Sequence, residues 1–434
     1  MSTRTLLDPS LPDSRVPTDP WRRTVPLPSF RFEGTPQPRN VMRHRTQPLA
    51  GIHVWSVAVV CAAVIIALPS AATSQTRLPW DAVASKLVER MAISPGERVL
   101  LLAMPGDFSP LVPVLRRHVA RAGGHDLGAI AVDGSHPAGW ETPFGRDSEG
   151  LTVQEMVEYF LEIDVAVMLP GAGTQHAPYA AMQALLGTGR ARTIHFHWAG
   201  AYDLQGNLMP TDRAVSQTLL RALLQTDYAA LAAHQRDFES EMRGQVVRVT
   251  TPLGTDITFQ IGDRPVTKQD GDASALAAAL ARNLIDREIE LPAGAIRVAP
   301  IEASVNGRIS FPPTVWQGQT VEGLVLEFES GRVVDITASS GLEAVEAELD
   351  AAGESGRAFR EFALGFNPLL GIPTQGAPWI PYYGYGAGVV RLSLGDNTEL
   401  GGAVEGGYVR WNFFPDATVT VGKEVWVSEG RLVR

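Results

Sequence analysis

The sequence predicts a chain in two parts: an α/β N-terminal domain built on a doubly wound parallel sheet, then a β-rich α+β C-terminal domain. Three observations predict it. Residues 76–235 alternate apolar runs with amphipathic stretches at strand–helix–strand spacing. From about residue 245 onward, short β-patterned runs take over, broken by Gly, Pro and Asp turns and by only two helical stretches. Finally, 434 residues with 45% apolar and 19% charged side chains suffice for a large core, which excludes a wholly disordered or fibrous chain. The composition changes near residues 235–245, so the expected domains are 76–240 and 241–434.

The leader is set aside from the fold. Residues 1–41 hold eight prolines and scattered arginines without helical or strand period, and read as disordered or as lying upstream of the true start. Met42 opens a better signal: Arg43, His44 and Arg45, the apolar run Val54–Leu68, then "PSAATSQ". That order matches a secretory signal peptide over residues 42–72, with Ala72 the last residue removed. The run is shorter than a spanning helix needs, and an uncleaved anchor at 54–68 is the alternative. Either way the expectation is an exported protein, periplasmic or extracellular. Cys61, the single cysteine, lies inside this run, so the remaining chain has no disulfide, thiol nucleophile or thiolate metal site. The net charge of −10 shows no basic stripe and argues against a nucleic-acid partner.

In the first half, Arg98–Pro105 is a continuous apolar strand closed by Pro105-Gly106-Asp107. Leu111–Gly124 has helical spacing and a glycine stop. Asp126–Gly134 is a second strand, Leu151–Ile163 an amphipathic helix, Asp164–Gly173 a third strand, Ala177–Leu186 a helix and Ala191–Gly200 a fourth strand. The first strand is not followed by G-x-G-x-x-G, which removes the usual sign of a dinucleotide site. In the second half, Gln245–Asp263 reads as a hairpin turning at Pro252–Thr255. The two helical stretches are Ser274–Asn283 and Leu342–Ala351.

Five segments then occur in fixed order: "VRVTTPLGTDITF", "LPAGAIRVAPIEASVNG", "FALGFNP", "RLSLGDN" and "DATVTVGKEVWVSEGRLV". Together they resemble the thermophilic metallo-aminopeptidase family, of aminopeptidase T type, over nearly all of residues 76–434. The resemblance implies a dimeric exopeptidase with two divalent ions, of zinc or cobalt type, activating a water in the C-terminal domain. It also implies ligand positions, and most of these carry other residues here. A family glutamate falls on Ala295, the second on Glu361, a histidine on Arg391, a tyrosine on Thr398, and a His-x-Asp pattern on Arg410 and Asn412, within one residue. Only Glu361 is of ligand type. Independently of any resemblance, none of the nine histidines lies after His234, and arginine cannot ligate a metal. A carboxylate-only set around Glu361, Asp396, Glu399 and Glu405 would have arginines among its donors.

A buried Glu361 needs compensation, which Arg391 and Arg410 can supply; the alternative places both arginines on a solvated sheet face. His195 and His197 share one strand face, as half a metal site or as structural groups. "PGAGTQHAPY" (Pro170–Tyr179) is a glycine-rich turn before a helix, without the Lys-Ser/Thr ending of a phosphate loop. Trp379, Tyr382, Tyr383 and Tyr385 either line a cleft or pack the halves together. No G-x-S-x-G elbow is present. The function expected is therefore an exported, aminopeptidase-like pseudoenzyme that binds a peptide or small anionic ligand and needs no cofactor. An active metallo-aminopeptidase and a structural or partner-binding subunit are the alternatives.

Overall fold

The computed structural model describes residues 78–434. The expected disordered leader, the signal peptide with its run at 54–68, and Cys61 lie outside the described residues. Within them no helix is long and apolar enough to cross a membrane.

Five parallel strands form the first sheet: Arg98–Ala103, His125–Ala131, Val165–Met168, Arg192–Phe196 and Glu288–Leu291. The second is outermost, then the first, third, fourth and the Glu288 strand. Alternation along the first strand gives it two apolar faces. Val99, Leu101 and Ala103 pack with Val83, Leu87 and Leu115 of helices Trp80–Met91 and Leu111–Arg121. Leu100 and Leu102 pack with Met156 and Met182 of helices Val153–Tyr159 and Ala177–Gly187. Each such Val, Leu or Met side chain contributes about 1.5–3 kcal/mol by leaving water. Helices on both faces make the sheet doubly wound, as the sequence predicts.

Local chemistry trims the expected elements. The helix expected from Leu151 begins at Val153 because Thr152 caps it: its Oγ1 accepts from Glu155 N, and Glu155 Oε2 accepts from Thr152 N at 2.8 Å. The fourth strand stops at Phe196, so His195 is in the ladder and His197 just beyond it. The Glu288 strand was not expected. Its Glu288-Ile289-Glu290-Leu291 pattern carries too little apolar character to read as buried, and it draws residues beyond 240 into the parallel sheet.

The remaining chain forms two larger antiparallel sheets. One has eight strands and includes the hairpin Val247–Thr250 and Asp256–Phe259, paired as the sequence predicts. The other has five, in the order Val409–Phe414, Val390–Gly395, Phe359–Gly365, Ala295–Val298 and Thr267–Lys268. This second sheet carries five of the six expected ligand positions, Ala295, Glu361, Arg391, Arg410 and Asn412, and decides which of them meet.

Candidate functional site

Register sets the faces of the five-stranded sheet. Glu361 pairs with Ser393, and Ser393 with Trp411; Ala363 pairs with both Arg297 and Arg391, and Arg391 with Phe413. Directly opposed residues share a face, so Arg297, Glu361, Arg391, Trp411 and Phe413 stand together. Leu392 pairs with Asn412 and Leu394 with Arg410, which puts Arg410 and Asn412 on the other face. A one-residue step in a strand exchanges faces, and here it replaces the expected pair by two aromatic side chains.

Glu361 is fully buried. Its Oε2 accepts from Arg297 Nε at 3.0 Å, its Oε1 lies 2.8 Å from Arg391 Nη2, and Ser393 Oγ donates to Oε1 at 3.2 Å. Burial by itself raises a carboxyl pKa. The charges of Arg297, Arg391 and Arg360 outweigh it and hold Glu361 well below the usual carboxylate range. Arg297 also reaches Glu399 at 3.0 Å, and Arg360 pairs with the same Glu399 oxygen. Arg360 gets there because the Phe359–Gly365 strand bulges between Phe359 and Glu361, which turns its side chain out of the alternation. The result is an ion-pair chain, Arg391–Glu361–Arg297–Glu399–Arg360.

The expectation for Arg391 therefore holds in the structure, while Arg410 has a different partner. Arg410 Nη1 donates to Glu348 at 2.8 Å, Nη2 to the Val315 carbonyl at 2.8 Å, Nε to Asn412 Oδ1, and the guanidinium lies 3.5 Å from the Trp316 ring centroid. The second cation on Glu361 is Arg297, which sequence reading missed. Its signal was present: Arg297 is two residues from Ala295 on the same strand, hence on the same face. Ala295 is buried and offers only a methyl group. Thr398 is exposed and donates to Asp396 Oδ1 at 2.7 Å, closing a turn away from Glu361. Asp396 is fully engaged, accepting also from Gly406 N and Gly407 N.

The tyrosine loop borders this face. Tyr382 and Tyr383 both adopt positive φ, 41° and 53°, a strained conformation for bulky residues. It is held by the bond from Tyr383 N to Gly200 O at 2.7 Å and by the Tyr202–Ile380 bridge. Arg391 Nη1 donates to the Tyr383 carbonyl at 3.0 Å, and its guanidinium lies 4.8 Å from the Trp411 ring centroid. Tyr382 and Tyr385 are fully buried core members, whereas Tyr383 and Trp379 are half-buried. The loop thus mostly packs, with Tyr383 as its link to Arg391.

A second polar cluster lies between the Arg192–Phe196 and Glu288–Leu291 strands and helix Ala177–Gly187. His195 Nδ1 contacts Glu288 Oε1 at 2.8 Å, Tyr179 OH reaches both, and Gln183 Nε2 donates to Glu288 Oε2 at 2.7 Å. The His195 and His197 ring centroids lie 3.6 Å apart, with the ring planes tilted by 32°. Burial and the neighbouring His195 push the His197 pKa well down, so it stays neutral. Glu290, in register with His195, accepts from Tyr385 OH; burial pushes its carboxyl up, against the opposing charge of Arg297. Among the described residues, three ligating side chains converge within 4.8 Å only at His136, Glu141 and Glu149, all exposed. The His195–His197 pair is not part of such a set.

The donor set around Glu361 does not fit a pair of divalent ions. Both carboxylate oxygens face guanidinium groups at ion-pair distance, and the other side chains on that face include Thr267, Ala295, Ala363, Ser393, Trp411 and Phe413.

Residues 231–371 match the thermophilic metalloprotease (M29) family. No curated protein matches the chain. Among solved structures, wild-type AmpT from Thermus thermophilus matches with a TM-score of 0.53 and 17% identity, over 82% of this chain and 99% of that one. A 2,5-dihydroxypyridine dioxygenase from Pseudomonas putida KT2440 matches with a TM-score of 0.54 and 14% identity, over 82% of this chain and 96% of that one. These two likenesses show the fold, one shared by two differently named proteins. The chain carries the thermophilic metalloprotease (M29) family region at residues 231–371, set in the fold of AmpT.

Proposed function

We propose that this protein is a non-hydrolytic relative of the metallo-aminopeptidases that binds a peptide or small anionic ligand beside the Glu361 sheet face. One observation carries the reading: Arg297 and Arg391 stand on the two oxygens of Glu361, where the resemblance implies dications. An arginine cannot be displaced by losing a proton, and a divalent ion beside two guanidinium groups meets repulsion as well as a spent ligand. The two aromatic side chains Trp411 and Phe413 supply apolar surface, not donors. A fold shared with a 2,5-dihydroxypyridine dioxygenase supports the view that this scaffold does not dictate one chemistry.

The same reading takes the 42–72 leader as an export signal, which places binding outside the cytoplasm. It is tested by the metal content of protein purified without chelator, measured together with hydrolysis of amino-acid anilides. Metal-free protein without turnover is expected. Two divalent ions per chain with turnover would restore the active aminopeptidase instead.

A further inference from the structure

Three guanidinium groups, on Arg297, Arg360 and Arg391, meet only two carboxylates, on Glu361 and Glu399. None of the three arginines is more than 4% exposed. A buried cation without a counterion is strongly disfavoured, so the surplus positive charge calls for a partner.

The hydrogen bonds show the same imbalance. Arg391 Nη1 is used by the Tyr383 carbonyl. Its Nε and Nη2 have no aligned protein acceptor, although Nη2 lies 2.8 Å from Glu361 Oε1. Those two nitrogens share one edge of the guanidinium plane, the edge that grips a carboxylate or phosphate through two parallel N–H bonds. Arg360 Nε is also buried and without an acceptor. Buried donors of this kind are rare in native proteins. Glu290 is the other carboxyl near Arg297; it accepts from Tyr385 OH, and burial raises its pKa. Glu399 keeps a third of its side chain in solvent, which gives the cluster an open side.

We propose that the Arg297–Arg360–Arg391 cluster binds one small oxyanion, of carboxylate or phosphate type, through the unpartnered Nε groups of Arg391 and Arg360, beside the Arg391 Nη2 that stands on Glu361. This rests on the non-hydrolytic reading above and names its ligand class.

The test titrates the full chain with acetate, glycine and inorganic phosphate at constant ionic strength, following the melting temperature and the heat of binding. At least one of the three is expected to stabilise saturably: the two carboxylates if the site takes organic acids, phosphate alone if it takes inorganic oxyanions. Arg360→Gln removes one donor while leaving Glu361 paired by Arg297 and Arg391, and is expected to weaken binding about tenfold or more. Arg410→Gln, on the opposite sheet face, is expected to leave affinity unchanged. The proposal is overturned if no anion gives saturable stabilisation, or if Arg360→Gln binds as tightly as the parent. Metal analysis of the same preparation separates the two failures. Metal-free protein that ignores all three anions removes this inference alone, whereas two bound dications with turnover remove the reading beneath it.

Discussion

Arg391 Nη2 lies 2.8 Å from Glu361 Oε1, and both side chains are almost wholly withdrawn from solvent, at 2% and 0% exposure. A pair in this position is held by its geometry, because neither charge has water to fall back on. Removing one partner is then far more costly than the pair is stabilising. Glu361→Gln leaves Arg297 and Arg391 facing each other across a neutral amide, and is expected to cost about 3–5 kcal/mol in chemical denaturation. Lys86→Ala, which removes a partly exposed pair with Glu89, is expected to cost no more than about 1 kcal/mol in the same assay. Equal losses in the two variants would remove the buried pair from its central place.

Acid should spare the arginine chain and act first elsewhere. The folded pKa of Glu361 is depressed, so its stabilising contribution is present above the unfolded value of about 4.3 and is lost only as pH falls further. The folded pKa of His197 is depressed too, which puts its contribution above the unfolded value of about 6.5, to be lost as pH falls below it. Stability measured from pH 7.5 to 5 should therefore decline in the parent, and the decline should flatten in His197→Gln. An unchanged slope in that variant would contradict the assignment.

Glu290 works in the opposite sense. Its folded pKa is raised by burial, so it favours the fold below the unfolded value of about 4.3 and loses that contribution as pH rises through the folded pKa. Glu290→Gln is expected to keep the hydrogen bond with Tyr385 and to flatten the part of the pH–stability curve above about pH 4.3, as read by urea midpoints.

Sheet register makes a sharp prediction about rebuilding a metal centre. In an Ala295→Glu, Arg391→His background, Trp411→His with Phe413→Asp places new donors on the Glu361 face. Arg410→His with Asn412→Asp places them on the opposite face and breaks the bond of Arg410 to Glu348. Zinc binding by competition with a coloured chelator should improve in the first set and not in the second. The second set is also expected to lose about 1–3 kcal/mol of stability by leaving buried polar groups without partners.

Chelation provides the simplest check on the charge chain. If guanidinium groups supply the positive charge, prolonged treatment with a strong chelator leaves the melting temperature unchanged, because there is no ion whose removal unfolds the site. A fall of several degrees, reversed by zinc, would indicate a metal holding the described fold.

Much of the fold was legible because period and punctuation carry it. Val99–Ala103 reads as a strand buried on both faces, and the structure packs alternate residues of it against different helices. The Gln245–Asp263 hairpin was equally plain, with its turn residues between two β runs. The Glu288–Leu291 strand was not, because Glu288 and Glu290 find their partners in His195, Gln183 and Tyr385, which are distant in sequence. A buried charge looks like a surface charge until its partner is known.

The sequence by itself determined that the C-terminal half holds no histidine after His234. It also singled out Arg391 as the odd residue on its strand. Only the tertiary structure decided what Arg391 meets. Strand register put Arg297 beside it and sent Arg410 and Asn412 to the other face, and one bulge swung Arg360 toward Glu399. Residue identity fixes which charges exist, whereas pairing across strands fixes which of them share a face, and a displacement of one residue reverses that choice.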